Sequence, residues 1–342
     1  MTTYLVTGGA GFIGSDYARF LVENNENRVI VVDNLSYSGR LSRIDDLIEL
    51  GKIEFHELDI CDRRGISALI SRSDVVVNVA ALTHVDTSNE IGAGSEFIRS
   101  NINGVSVMLD CIALLKPEVW FHQVSTDEVY GHLNKGDTRS FLESDAIAPR
   151  NMYSSTKAAA EHIAQSYVHA HGLNVSISRC CNNMGPNQHE EKFVPKIISS
   201  VLKGKRFPIY GAGDQTREWI HTRDHSTAIN TIIQKRLHGV WNVGTGARCT
   251  NAELAETVCE EISSLVGSSQ VLRSVFPRCP ASIAKSGDDC LSLMEYVDDR
   301  PGHDFMYALD CSKLMSEGWS PRLNFQDTVH DTVFWSVNNI SQ

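Results

Sequence analysis

Thr7-Gly8-Gly9-Ala10-Gly11-Phe12-Ile13-Gly14 is the stretch that decides the fold. An apolar run, Tyr4-Leu5-Val6, precedes it, and an amphipathic helical pattern begins at Ile13. Gly8, Gly11 and Gly14 stand at G-x-x-G-x-x-G spacing, which permits a tight turn, close approach of backbone to a pyrophosphate, and close helix–strand packing. Phosphates then sit at the positive end of the following helix. Asp33 ends the second apolar run about twenty residues on, where a carboxylate grips a ribose diol. That carboxylate repels a 2′-phosphate, so the pattern favours NAD over NADP.

Outward from this turn, β-branched runs alternate with helical patterns. Strands are expected at residues 4–7, 29–33, 54–57, 75–79, 120–125 and 174–178, with helices at 13–23, 65–71, 98–115 and 153–171. Strands separated by helices read as βαβ units on a buried parallel sheet. The expected fold class is therefore α/β, a Rossmann-type doubly wound parallel sheet, whose ligands lie beyond the carboxyl ends of the strands. From about Asn182, Pro186, Pro195, Pro208, Gly211 and Gly213 break the chain into shorter elements, followed by a helix near 251–265. This suggests a cofactor domain over 1–180 and a smaller C-terminal substrate lobe over 181–342, with some segments returning to the first domain. Residues 272–297, polar and broken by Pro277 and Pro280, read as a long exposed loop.

Composition narrows the function. The 342 residues carry a formal net charge of -11, which argues against a nucleic-acid partner or an anionic membrane surface. Local arginines can still bind a phosphate-bearing ligand. The nine cysteines include no C-x-x-C pair, so neither a zinc site nor a disulfide framework is indicated, and no metal is expected. No signal peptide and no apolar run near the ~20 residues of a membrane span is apparent, so the expected location is cytoplasmic.

Tyr153-Ser154-Ser155-Thr156-Lys157 places Tyr153 and Lys157 four apart, on one face of a helix. A free tyrosine, with a pKa near ~10, is too weak a base at neutral pH. A nearby ammonium and a positive nicotinamide ring favour its phenolate. Ser125-Thr126-Asp127-Glu128-Val129-Tyr130-Gly131 follows an apolar strand, so it faces the cofactor crevice. Two adjacent carboxyl groups there suit an elimination, one removing a proton while the other protonates a departing hydroxyl. A solvated acidic turn is the competing reading of the same pair.

Assembled, these segments resemble the extended short-chain dehydrogenase/reductases, and within them the dTDP-glucose 4,6-dehydratases. The resemblance runs over nearly the whole chain: TGGAGFIGS, VDNLSYSG at 32–39, NVAALTHVDTS at 78–88, STDEVYG, YSSTK, RCCNNMGPNQ at 179–188, FPIYGAGDQTREW at 207–219 and DDRPGHD at 298–304. It implies an NAD-dependent hydro-lyase that makes a 4-keto-6-deoxy sugar from a nucleotide-diphosphate hexose, with dTDP-glucose or UDP-glucose the first substrates to consider. Tyr153 would take the 4-hydroxyl proton as hydride passes from C4 to NAD, with Thr126 polarising that oxygen. Glu128 would then remove the C5 proton, made acidic by the new ketone, while Asp127 protonates the leaving C6 hydroxyl. Hydride return to C6 and a proton to C5 complete the cycle. The resemblance also implies a homodimer built through helices such as 98–115 and 153–171.

Carried over by position, cofactor contacts fall on Gly8, Gly11, Phe12, Ile13, Gly14, Asp33, Asn34, Leu35, Ser36, Asp59, Ile60, Ala80, Ala81, Thr83, Ser100, Tyr153, Lys157 and Asn183. Substrate contacts fall on Thr83, Thr126, Asn182, Lys192, Phe193, Pro208, Ile209, Tyr210, Arg217, Asn251, Arg300 and His303. Arg217 and Arg300 are chemically suited to a fork-like grip on phosphate. The sequence departs from the family pattern at Leu82, Thr83, Thr87 and Met184, which leaves the hexose open. Three alternatives stand beside this reading. A 4-epimerase needs no acid for elimination at C6. A dehydratase could take UDP-, CDP- or GDP-sugars or stop at a 5,6-unsaturated product. A non-catalytic NAD-binding protein would not need the Tyr, Lys and carboxyl pair.

Overall fold

A computed structural model describes residues 1–23, 26–283, 287–299 and 303–339. The first six strands in chain order are β1 (Thr2–Thr7), β2 (Asn27–Asp33), β3 (Ile53–Glu57), β4 (Val75–Asn78), β5 (Trp120–Thr126) and β6 (Asn174–Cys180). Six more follow: β7 (Asn182–Met184), β8 (Phe207–Tyr210), β9 (Thr216–His221), β10 (Gly239–Val243), β11 (Arg248–Thr250) and β12 (Met294–Val297). Val29–Val32 and Val75–Val77 are β-branched and buried on both faces, as strands covered by two helical layers must be. The main sheet is wholly parallel, in the order β10-β6-β5-β4-β1-β2-β3. The doubly wound class read from the sequence is borne out. Chain order reverses between β1 and β4, which opens the crevice beyond their carboxyl ends.

Helix Phe12–Glu23 begins directly at the glycine turn. On the other side of the sheet, Val105, Met108, Leu109 and Ile112 of helix Gly104–Leu115 are buried with Leu5, Val76 and Phe121. Truncating any one of these to Ala costs roughly 2–5 kcal/mol. The continuous stretch Gly94–Leu115 is long and apolar enough to cross a bilayer by length and composition, so the expectation that no run reaches that length is corrected. Its buried face against the sheet is that of a core helix.

Past β6 the chain alternates between two cores. β10 returns to the main sheet beside β6, and helix Thr222–Gln234 sends Ile229 and Ile233 into the core under β1 and β2. The second core packs helices Phe193–Leu202, Asn251–Ser268 and Phe325–Asn339 through Ile197, Val201, Leu254, Val258, Ile262, Val329 and Val333. Two small sheets edge it, β11-β9-β7 and β12-β8.

The described residues of this stretch, 272–283 and 287–297, are not the unstructured loop their composition suggests. They contain short helices at Gln270–Val275 and Pro280–Ile283, a 3₁₀ segment at Gly287–Leu293, and β12 paired in parallel with β8. Phe276, Cys279, Ala281 and Cys290 enter the second core.

Candidate active site

The glycine turn forms because Gly8 adopts φ +66° and no Cβ fits. A Cβ there would lie 2.7 Å from the Ala80 backbone, and one at Gly14 would lie 2.2 Å from the Gly8 carbonyl oxygen. This close approach leaves the start of helix Phe12–Glu23 bare, with its N–H groups facing the crevice. Asp33, at the end of β2, is buried; its carboxylate accepts from Ala10 N at 3.0 Å and Leu35 N at 2.9 Å. Burial, against these two bonds, raises its pKa. Asp59 accepts from Cys61 N at 2.8 Å and pairs with Arg99 at 2.8 Å. A bare helix start, a backbone-level cradle and a carboxylate at the next strand end fit a dinucleotide.

One cleft of ≈ 900 Å³ runs from this turn to the second lobe. Its wall includes Gly8, Gly11, Phe12, Ile13, Gly14, Asp33, Asn34, Ser36, Asp59, Ile60, Ala80, Ala81, Thr83, Ser100 and Asn183 on the dinucleotide side. Toward the other lobe it includes Asn182, Lys192, Phe193, Pro208, Tyr210, Arg217, Asn251 and His303. Thr126, Asp127, Glu128 and Tyr153 line the middle. Three expected contacts do not reach the wall. Leu35 (φ 50°) instead holds Asp33, Lys157 sits behind Tyr153, and Ile209 points into the second core, since neighbours on a strand face opposite ways. Arg300 lies outside the described residues.

The two carboxyl groups close β5. Asp127 is 2 % exposed, and its Oδ2 has no hydrogen-bond partner. Burial, then the charges of Glu128, Cys180 and Glu218, push its pKa well up, against a bond from the Thr126 hydroxyl. Glu128 is also raised by burial, but the Asn151 amide bond at 3.1 Å and the charges of Arg217 and Lys192 oppose this, with Asp304 adding to it. A carboxyl group pushed strongly toward its acid form beside one with amide and cationic support suits an acid–base division of labour.

Helix Met152–His171 carries Tyr153 and Lys157, and starts at a capping box of Asn151 and Ser154. The buried Glu161–Arg179 ion pair at 2.6 Å, with the Ser125 hydroxyl donating to Glu161, locks it against β5 and β6. The Lys157 ammonium donates to the Val124 carbonyl at 2.6 Å, and burial lowers its pKa to about 8 against the charge of Glu161. Burial and the Glu128 and Asp127 charges push the Tyr153 phenol up, and the Thr126 hydroxyl bond is the contribution acting the other way. The lysine, tied to a carbonyl and itself desolvated, does not outweigh two nearby carboxyl groups.

Arg217 lines the cleft, yet its NH1 donates to the Thr216 and Phe305 carbonyls and its NH2 to Asp304 O. The guanidinium therefore ties the 304–305 backbone to the cleft floor while facing the cavity. Lys192 donates to Thr83 O at 3.2 Å, and His303 pairs with Asp299 at 2.8 Å. Met184 is fully buried in the second core. Asn183 Oδ1 accepts from His225 Nδ1 at 3.0 Å, and its Nδ2 donates to the Cys180 sulfur at 3.2 Å. Asn151, Asp304, Tyr307, Arg150, Glu191 and His225 also line the cleft and escaped the sequence reading. An Asn three residues before Ser154 is legible as a helix cap, but no local signal says its amide reaches Glu128.

Comparison with known proteins agrees with this geometry. Residues 5–332 match the family model for GDP-mannose 4,6 dehydratase. The chain is 38% identical over 325 residues to the low-salt glycan biosynthesis protein Agl12 of Haloferax volcanii, covering 94% of each chain. It is 37% identical over 347 residues to dTDP-glucose 4,6-dehydratase of Neisseria gonorrhoeae, covering 98% of this chain and 95% of the other. The crystal structure of DesIV, a dTDP-glucose 4,6-dehydratase from Streptomyces venezuelae with NAD and TYD bound, superposes with a TM-score of 0.86 at 33% identity, covering 99% of this chain and 98% of that one.

Proposed function

We propose, from the premise that this chain belongs to the dTDP-glucose 4,6-dehydratase family of extended short-chain dehydrogenase/reductases, that it is an NAD-dependent hydro-lyase of a nucleotide-activated hexose. The reaction yields the nucleotide-4-keto-6-deoxyhexose, with dTDP-glucose or UDP-glucose as the substrate. The observation that carries this reading is the pairing of a buried Asp127, whose Oδ2 has no hydrogen-bond partner, with a Glu128 held by the Asn151 amide, in the cleft that Tyr153 also lines.

Bound NAD supplies a hydride acceptor for C4 and, later, the donor for C6. The glycine turn and Asp33 would hold its pyrophosphate and adenosine ribose, and Tyr153 and Asn183 would face its nicotinamide. Tyr153 takes the proton from the 4-hydroxyl, and Thr126 polarises the same oxygen. Ketone formation at C4 acidifies the C5 proton. Glu128 takes that proton, and Asp127, whose pKa burial raises, is the group to give one to the C6 hydroxyl so that water leaves without building hydroxide; as hydride returns to C6, a proton returns to C5. Phe193, Pro208, Tyr210, Asn251 and His303 would hold the nucleotide end. A 4-epimerase has no use for a buried acid–base pair of this kind, which is why the dehydratase reading is preferred. The assembly implied is a homodimer in the cytoplasm, formed through helices Gly104–Leu115 and Met152–His171.

The test incubates purified protein with dTDP-, UDP-, CDP- and GDP-hexoses in heavy water. Loss of water with one deuterium gained at C5 is expected from one of them. Inverted C4 at unchanged mass would move the assignment to epimerisation. Glu128→Gln should still reduce bound NAD yet stall before water leaves.

A further inference from the structure

Asn151 precedes the Tyr153 helix and uses both ends of its side-chain amide. Its Oδ1 accepts from Ser154 N at 2.7 Å, and its Nδ2 donates to Glu128 Oε2 at 3.1 Å. The orientation is fixed by chemistry, since the Ser154 N–H can only donate and an ionised carboxylate can only accept. Ser154 Oγ in turn accepts from Asn151 N at 3.3 Å, which closes the capping box. One side chain thus sits between the carboxylate that ends β5 and the first turn of the helix that carries Tyr153 and Lys157.

We propose that Asn151 is a positioning residue for the elimination step: its amide aims the Glu128 carboxylate at the sugar, while its carbonyl oxygen sets the start of the Tyr153 helix. This rests on the dehydratase reading above. The oxidation base and the elimination base must act on adjacent carbons of one ring, C4 and C5. A single group bonded to both supporting elements keeps their separation constant, and a displacement of an ångström there is worth about 10²-fold in rate.

Glu128 is surrounded by named charges. Arg217 from β9 and Lys192 at the head of helix Phe193–Leu202 favour its ionised form, Asp304 opposes it, and its own charge raises the neighbouring Asp127. Tyr153 and Tyr307 face it as neutral phenols whose own ionisation it disfavours. Among these groups Asn151 is the one that both favours the carboxylate and touches it by a direct side-chain bond.

Asn151→Asp is the decisive variant, because Asp caps a helix as well as Asn does but places an anion against Glu128. With bound NAD and the accepted nucleotide hexose, it should melt like the wild type and lose about 10²-fold in kcat. Reduced NAD should accumulate in a single turnover, as oxidation outruns elimination. The acidic limb of the kcat profile should move to higher pH, since losing a donor and gaining a like charge both raise the Glu128 pKa. Asn151→Ser, which caps with a hydroxyl too short to reach Glu128, should show the same stall in weaker form. Either variant keeping wild-type kcat and an unmoved acidic limb overturns the proposal and leaves Asn151 as a helix cap. A readout free of turnover is the carboxyl titration of Glu128 by ¹³C NMR in the resting protein, whose midpoint should rise in both variants. An unmoved midpoint defeats this inference even if the wild type is an active dehydratase; a wild type that releases no water from any nucleotide hexose defeats that reading instead.

Discussion

Asp127 and Glu128 are consecutive, yet Asp127 Oδ2 is buried without a hydrogen-bond partner whereas Glu128 Oε2 accepts the Asn151 amide at 3.1 Å. Thr126 is extended and Asp127 opens a 3₁₀ turn, so successive side chains leave β5 in different directions. One carboxyl group enters apolar, anionic surroundings and the other a polar, partly cationic edge of the cleft. Different environments, rather than different chemistry, separate an acid from a base.

Asp127→Asn should therefore lose activity and gain stability. Removing the proton donor to the C6 hydroxyl should lower kcat by about 10²–10⁴ while bound NAD is still reduced on mixing with substrate. Burial raises the folded pKa of Asp127 above its unfolded value, so its contribution to stability is present below the unfolded carboxyl range and is lost as pH rises through the folded pKa. At neutral pH the asparagine variant should thus melt higher than the wild type, and the gap should close as pH falls through the carboxyl range. Thermal melts between acid and neutral pH check this; a variant that melts lower at neutral pH counts against a strained carboxyl.

Gly14→Ala should impair both cofactor retention and folding. The new methyl group would sit 2.2 Å from the Gly8 carbonyl oxygen, backbone that cannot swing aside. Overpacking of this kind costs roughly 1–3 kcal/mol, and here it also widens the turn that approaches the pyrophosphate. NAD content after gel filtration and the Tm should both fall. Wild-type NAD content would mean the cradle is looser than the geometry requires.

The glycine turn, Asp33, Tyr153 with Lys157, and Asp127 with Glu128 were legible because each is a short-range pattern: fixed spacing along one helix or at one strand end. What escaped was set by chain-distant packing. Asp304 and Tyr307 reach the cleft on a stretch held by chain-distant partners: Arg217 on β9 binds the backbone carbonyls of 304 and 305, and Thr216 and Leu133 bridge to Met306. Ile209 shares a strand with Pro208 and Tyr210, and choosing its face requires knowing where the second core lies. Residues 272–297 look polar, yet Phe276, Cys279, Ala281 and Cys290 enter the second core and β12 pairs with β8, contacts that no local pattern announces.

Glu161→Gln should unfold the protein more readily without changing its specificity. Glu161 and Arg179 are 2.6 Å apart with side chains 1% and 5% exposed, and removing one partner strands the other in the core. The loss should be about 3–5 kcal/mol by chemical denaturation, whereas replacing both at once by Leu and Met should recover much of it. Glu161 also raises the Lys157 pKa against burial, so in the variant that pKa should drop further below about 8. A single variant as stable as the double one would show that the pair is not the lock between the Tyr153 helix and β6.

Tyr153→Phe should stop the reaction one step earlier than any carboxyl variant. The phenol oxygen is the group placed to accept the 4-hydroxyl proton, and without it no reduced NAD should appear in a single turnover. Glu128→Gln and Asp127→Asn, by contrast, should reduce NAD and then stall. The two carboxyl groups and burial hold Tyr153 above the ordinary tyrosine range, so the oxidation rate should climb as pH rises toward the alkaline side. Thr126→Val removes the hydroxyl bond that opposes this push. It should displace that climb to still higher pH and leave the carboxyl-controlled limb of elimination where it was. Stopped-flow absorbance of the reduced nicotinamide across pH reads both variants. If Tyr153→Phe reduces NAD at the wild-type rate, the proton from the 4-hydroxyl goes elsewhere, and Thr126 with a water chain becomes the route to examine.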